Sequence, residues 1–468
     1  MIDFWQRNQS RLSTLLATLG AVVVLLALVH WGGSATVGPL LYLGVGILIA
    51  VIIIFGAAVW WLYLSPMPAN RVIKPAARST STRQTISVLM LISGLLFSIG
   101  ALWDEVWHRT YGVGAAVDDF FWRPHILIYI SIGLVALFAF VGLWPIMQGR
   151  GDMRQRFRAE PILGLLALAC GFQVVVTPLD PLWHELYGID LTAWSLPHLM
   201  LAIGLVSVMM VAVAVQLSCV PAASWRFLRG LRLQEVLVIG LLALVILMLT
   251  QFGTTEWENL QSIGIGQTSD AFWQRPEWLY PVVVITIAAF VGMVALHTTR
   301  VVGAATLVGL TCLLARIVLL VGLNAMPPPA SLSFKTHLIL LPPLIALDLW
   351  YAFRLRQPST SATLLGAAVA IVLATLTVGA FITTQIMIYP RFNAETLPLM
   401  LVFGLIMGIA ISYAGAHLGI WLRTHAQYTA DTETAVQGGR VFAIGLGTLV
   451  AVLAFVTIFI TTATPPIV

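Results

Sequence analysis

Charge is what this sequence has least of. Only 9% of its 468 residues are Asp, Glu, Lys or Arg, against 59% hydrophobic, and the mean hydropathy is +0.96. Soluble domains carry roughly a quarter charged residues, so a water-soluble globular chain is excluded. Cysteine is nearly absent too. Cys170, Cys219 and Cys312 fall in or beside apolar segments without CxxC spacing, which excludes a disulfide framework or thiolate cluster and leaves small packing residues. The period-two alternation of a transmembrane β-barrel is also missing.

What is present is a series of apolar runs, each long enough for a helix to cross about 30 Å of hydrocarbon. Bounded by charge, Pro or Gly, they give about thirteen spans, at 13–30, 39–64, 86–103, 125–147, 161–178, 197–218, 235–252, 279–297, 303–324, 337–353, 363–389, 397–421 and 441–462. The fold expected is all-α, a polytopic transmembrane helical bundle. The first run is too long for a signal-peptide core and lacks a clean cleavage site, so it reads as an anchor.

The net charge of +5 does not imply nucleic-acid binding, because the bases lie between helices in a topological pattern. Arg71, Lys74, Arg78 and Arg83 fill one loop, Arg150, Arg154, Arg156 and Arg158 another, and Arg226, Arg229 and Arg232 a third. By the positive-inside rule these loops are cytoplasmic. The loops between them hold isolated bases such as Arg109, Arg123, Arg275, Lys335 and Arg391 among Trp, Asp, Glu and His. The expectation is a plasma (inner) membrane protein with a cytoplasmic N-terminus and an outer C-terminus. Three regions follow: a two-helix leader with a basic linker (1–85), a repeated helix-pair region (86–300) and a five-helix C-terminal region (301–468).

The repeat is the most informative feature. Asp104, Trp107, His108, Tyr111 and Gly112, followed by Trp122, Pro124 and His125, recur as Asp180, Trp183, His184, Tyr187 and Gly188, followed by Trp194, Pro197 and His198. Trp107 and Trp183 are 76 residues apart, and Trp257 follows after 74 more. The third copy has Thr254, Glu258 and Glu277 at the aligned positions, and reads as a degenerate, metal-free site or as a carboxylate-rich entry point for ions or protons, helped by Glu256 and Asp270. In each copy a helix rises to the Asp/His segment, and the chain re-enters the membrane at Pro-His, where proline costs little in a first helical turn. Asp104 and His108, like Asp180 and His184, are four apart and share a face if the helix persists.

Two imidazoles and a carboxylate suit copper, zinc or non-haem iron; hard cations such as calcium fit less well. Asp104, His108 and His125 form one candidate metal set, and Asp180, His184 and His198 the other. Asp118, Asp119 and Asp190 are available to orient the imidazoles. Haem through His125 and His198 is a further option, and interfacial packing of Trp, Tyr and His is the structural alternative.

At these residues the chain resembles the C subunit of particulate methane and ammonia monooxygenases, copper-containing membrane enzymes with an Asp-x-x-Trp-His run and a Pro-x-His helix start. The resemblance implies copper at both residue sets and an oxidoreductase activity. The differences are Pro-His in place of Pro-x-His, Asp180 where the family's second set has Asn, about twice the spans, and no cupredoxin-like domain.

Arg316 lies in the middle of an apolar run, where a charge needs a partner or a cavity. Asp348 or a carboxylate of another helix is the expected partner. His337 opens its span as His125 and His198 open theirs, like the relic of a fourth copy. His297, His417 and His425 fall toward the cytoplasmic side, and His30 near an interface. Three functions remain open: a copper-monooxygenase-like oxidoreductase, a metal-ion or proton-coupled transporter with Arg316 and Asp348 marking a path, and an assembly subunit docking other membrane or periplasmic subunits. Besides these partners, the lipid bilayer is the constant one.

Overall fold

The computed structural model describes residues 39–65, 80–111, 122–149, 151–187, 193–194, 196–221, 223–255, 257, 276–324, 334–355, 357–358, 360–387, 392, 394–430 and 438–463. The chain is an integral membrane protein of the all-α class. Among the described residues, eleven helices are long and apolar enough to cross a bilayer. Each lies on one of the spans expected from 86 onward. The expected span at 39–64 appears as α1 (Pro39–Val59), continued by a π-turn at Trp60–Leu64, and its apolar stretch is shorter than the rest. The first expected span, at 13–30, lies outside the described residues.

The next elements in chain order are α2 (Thr80–Tyr111), α3 (Arg123–Gln148), the short α4 (Met153–Ala159), α5 (Pro161–Val176), α6 (Leu179–Tyr187) and α7 (Leu196–Leu217). They are followed by β1 (Arg226–Phe227), α8 (Leu233–Gly253), α9 (Leu279–Thr299), β2 (Val301–Val302) and α10 (Ala304–Asn324). The last are α11 (Lys335–Ile339), α12 (Leu341–Phe353), α13 (Ser361–Ala374), α14 (Ala380–Ile386), α15 (Leu397–Ala430) and α16 (Gly438–Thr461). A π-turn at Thr375–Gly379 joins α13 to α14 within one span.

Charge divides the two ends. At one end, the paired strands β1 and β2 lie among Arg226, which bonds Glu235, and Arg300 and Arg423, which both donate to Ala223 O. Arg83 bonds Glu160 at 2.7 Å at this end, and Arg158 donates to Leu62 O, closing the last carbonyls of the first described span. At the opposite end Arg123 holds the terminus of α16 through Phe459 O (3.0 Å) and Thr462 Oγ1 (2.9 Å). The end of α16 therefore lies at the same end of the bundle as the start of α3.

The centre is α9, which is buried along nearly its whole length and packs most extensively on α15. Lipid tails are as apolar as leucine, so helices associate through close packing and polar contacts rather than through exclusion from water. Small residues provide that closeness. Gly404, Gly408, Gly415 and Gly419 of α15 are spaced as two small-xxx-small pairs, and all four meet α9. A similar fit joins α12 to α13, where a Cβ on Gly366 would stand 2.0 Å from Cζ2 of Trp350, whose indole donates to Thr363 O at 2.8 Å. Gly366→Ala is expected to cost about 1–3 kcal/mol through forced displacement of the ring. Unfolding in mixed micelles measures this, and Trp350→Phe in the same chain should recover part of the loss.

The candidate metal centre

The motif segments fold into helices for different local reasons. α2 runs unbroken to Tyr111, so Asp104 and His108 stand one turn apart on one helix. In the second copy Pro178 interrupts the rise. α5 ends at Val176 and a new helix, α6, starts at Leu179 with Asp180 in its first turn. Proline cannot donate to the preceding turn, so the hydrogen-bond ladder is interrupted there, while the span itself runs on from Pro161 to Trp183. Asp180 and His184 then share α6, as the four-residue spacing anticipates.

The descending helices begin alike. α3 starts Arg123-Pro124-His125 and α7 starts Leu196-Pro197-His198, with the histidine third in each helix. This places each imidazole beside the aspartate of the rise before it. His125 Nε2 lies 3.1 Å from Asp104 Oδ1, and His198 Nε2 lies 3.3 Å from Asp180 Oδ1. All four side chains are largely but not fully buried, between 18% and 26% exposed, which leaves each pair an open side.

The distances permit a fit test for a metal. Two donors held about 2.0–2.2 Å from one ion at a tetrahedral angle stand roughly 3.3 Å apart, so each Asp/His pair has the spacing of neighbouring ligands. The same spacing suits a direct ion pair, and the third donor distinguishes the two. Among the described residues no group of three His, Cys, Asp or Glu side chains converges. The side chains of His108 and His184 lie outside the described residues, as do Asp118, Asp119, Asp190 and Glu258. The described residues therefore contain two of the three expected donors at each place.

The motif tryptophans are packing residues. Trp107 and Trp122 meet at 5.4 Å, Trp122 lies 5.8 Å from the His125 ring, and Tyr129 flanks the imidazole at 6.2 Å. In the second copy Trp194 packs instead on Trp257 of the third, which in turn packs on Tyr280, each at 5.4 Å. Aromatic contacts therefore link the second copy to the third.

That third copy is built differently. Thr254, aligned with Asp104 and Asp180, is buried and donates back to Thr250 O at 2.9 Å. Glu277 precedes α9 instead of standing in its first turns.

Two expectations about buried charge need correction or refinement. Asp348 does not partner Arg316. Its carboxylate accepts from the backbone N–H groups of Gly303 (2.8 Å) and Thr306 (2.7 Å), capping the start of α10, where free N–H groups and the helix dipole favour an anion. Arg316 lies ten residues further along α10, about 15 Å at 1.5 Å per residue. It donates to Gln251 Oε1 at 3.3 Å, and Gln251 Nε2 donates to Glu105 Oε2 at 2.6 Å. The sequence reading missed Gln251 and Glu105, because no local pattern reveals which helices become neighbours. His337 is buried and bonds Thr250 Oγ1 through Nε2 at 3.0 Å. His297 at the arginine-rich end bonds Tyr351 Oη at 2.8 Å, apart from the Asp/His pairs as expected.

Comparison of the chain with protein-family models, with curated proteins and with solved structures gives no match.

Proposed function

We propose that this membrane protein holds a metal, copper by preference, in two equivalent Asp/His/His sites built by a duplicated helix pair. The sites would be Asp104, His108 and His125, and Asp180, His184 and His198. The observation that carries the reading is the recurrence of one contact: a largely buried Asp carboxylate within 3.1 or 3.3 Å of a descending-helix His Nε2. Carboxylate oxygen and imidazole nitrogen form the mixed hard and borderline donor set that suits Cu(II), Zn(II) or Fe(II). By the positive-inside rule the arginine-rich end faces the cytoplasm of a plasma membrane and the sites face outward.

A bound copper would supply redox chemistry at a position left open by three protein ligands. The protein's own share is to hold the donors. Pro124 and Pro197 fix the start of each descending helix and so the place of its histidine, Asp104 and Asp180 would supply the carboxylate oxygens, and Trp122 packs beside the His125 ring. An oxidoreductase of the copper-monooxygenase kind is the activity that the resemblance at these residues suggests.

Elemental analysis of protein purified in mild detergent tests the reading. The expected result is two copper equivalents per chain, falling to one in His108→Ala and to one in His184→Ala. Protein with no transition metal after copper loading, or stoichiometry unchanged in both variants, overturns it.

A further inference from the structure

The polar chain beside the first Asp/His pair joins three helices. Glu105 stands on α2, Gln251 on α8 and Arg316 on α10, with successive contacts of 2.6 and 3.3 Å. Arg316 is 5% exposed, and a buried charge inside a membrane span is expensive unless compensated. The amide joins opposite charges with its two ends used in the right sense: its nitrogen donates to the carboxylate and its oxygen accepts from the guanidinium. Directly below lies a cavity of about 10 Å³ lined by Ser98, Leu102, Gln251 and Arg316, about the size of one water molecule. Above it, Glu105 occupies the same face of α2 as Ser98 and Ala101.

Glu105 is also the residue after Asp104, so on a helix of 3.6 residues per turn their side chains diverge by about 100°. Holding Glu105 toward α8 and α10 sets the rotation of α2 at its outer turn, and that rotation turns Asp104 toward α3, where His125 waits. Gln251 comes from the third copy, three residues before Thr254, which aligns with Asp104. The copy without histidines thus reaches into the first copy.

We infer that Gln251 and Arg316 are positioning residues for the first Asp/His pair, acting through Glu105, and that the third repeat serves as a brace. The second pair differs at this position, because Pro181 follows Asp180 where Glu105 follows Asp104. The inference rests on the metal reading for its first test and is independent of it in its second.

The first test is a competition titration of Cu(II) against a chromophoric chelator, using full-length protein in detergent. In a chain carrying His184→Ala and His198→Ala, where only the first site remains, Gln251→Leu is expected to weaken Cu(II) about 10–100-fold, as loss of an outer partner does elsewhere. In a chain carrying His108→Ala and His125→Ala, Gln251→Leu should change nothing. Gln251→Glu alone sets two carboxylates against each other and should weaken the first site. Combining it with Glu105→Gln exchanges donor and acceptor along the chain and should restore affinity, a recovery that general loosening of the bundle would not give. Equal weakening of both sites, no weakening of the first, or no recovery on exchange each overturns the brace.

The second test uses metal-free protein in lipid. The imidazole ¹⁵N resonances of His125 should move in Gln251→Leu while those of His198 stay in place. A failure of copper to bind overturns the metal reading and leaves this measurement to decide the brace, whereas an unmoved His125 overturns the brace alone.

Discussion

Arg83→Met is expected to destabilise the bundle by about 3–5 kcal/mol, the cost of leaving a buried charge without its partner. The Arg83 and Glu160 side chains are 6% and 9% exposed and meet at 2.7 Å, joining the first turn of α2 to the residue before α5. Both side chains are buried, so removing the cation takes the 2.7 Å ion-pair contact from a buried carboxylate. Combining Arg83→Met with Glu160→Met removes both charges and should return most of the loss, since an apolar pair of similar volume is often neutral in place of a buried ion pair. Unfolding in mixed micelles of rising denaturing-detergent fraction gives the three values. A single variant no less stable than the double variant would mean that Glu160 is solvated.

Gly415→Val should be nearly as damaging for a steric reason. A Cβ on Gly415 would stand 2.8 Å from the carbonyl oxygen of Phe290 and 3.1 Å from Cβ of Met293. One of these atoms belongs to the backbone of the central helix and cannot turn aside, so α9 and α15 must separate along their shared length. Overpacking of this kind costs about 1–3 kcal/mol, and Val adds branching beyond the Cβ. Gly447 is the matched control, because a Cβ there meets nothing within 4 Å. Gly447→Val should leave stability within about 0.5 kcal/mol of the parent. Equal effects of the two substitutions would show that the close approach of α9 and α15 carries no special share of stability.

The spans were legible from the sequence because membrane helices must satisfy their backbone internally, and this leaves unbroken apolar runs such as 235–252. The Asp/His pairing was legible from spacing, since His125 and His198 are fixed by a proline at a helix start and Asp104 and Asp180 by the end of the preceding rise. The partner of Arg316 was not. Asp348 was the nearest carboxylate in the following span, but whether two such groups meet depends on depth, and Asp348 of α12 reaches the start of α10 while Arg316 lies ten residues along that helix. Gln251 carries no charge, and nothing in the apolar run around it marks it as a partner. The break at Pro178 had a clear local sign in the proline itself, though the apolar stretch around it reads as one continuous span.

That break gives the two aspartates different mechanical mountings. Asp104 rides on a rod of 32 residues, about 48 Å long at 1.5 Å per residue, whose far end is clamped by the Arg83–Glu160 pair. Any axial shift or rotation imposed at the arginine-rich end reaches Asp104 through a single stiff element. Asp180 stands beyond Pro178, on a helix of nine residues, where the missing proline N–H leaves a gap in the ladder of the span Pro161–Trp183. One aspartate thus stands on an uninterrupted helix that runs back to the Arg83–Glu160 pair, and the other stands past a gap in the hydrogen-bond ladder of its span.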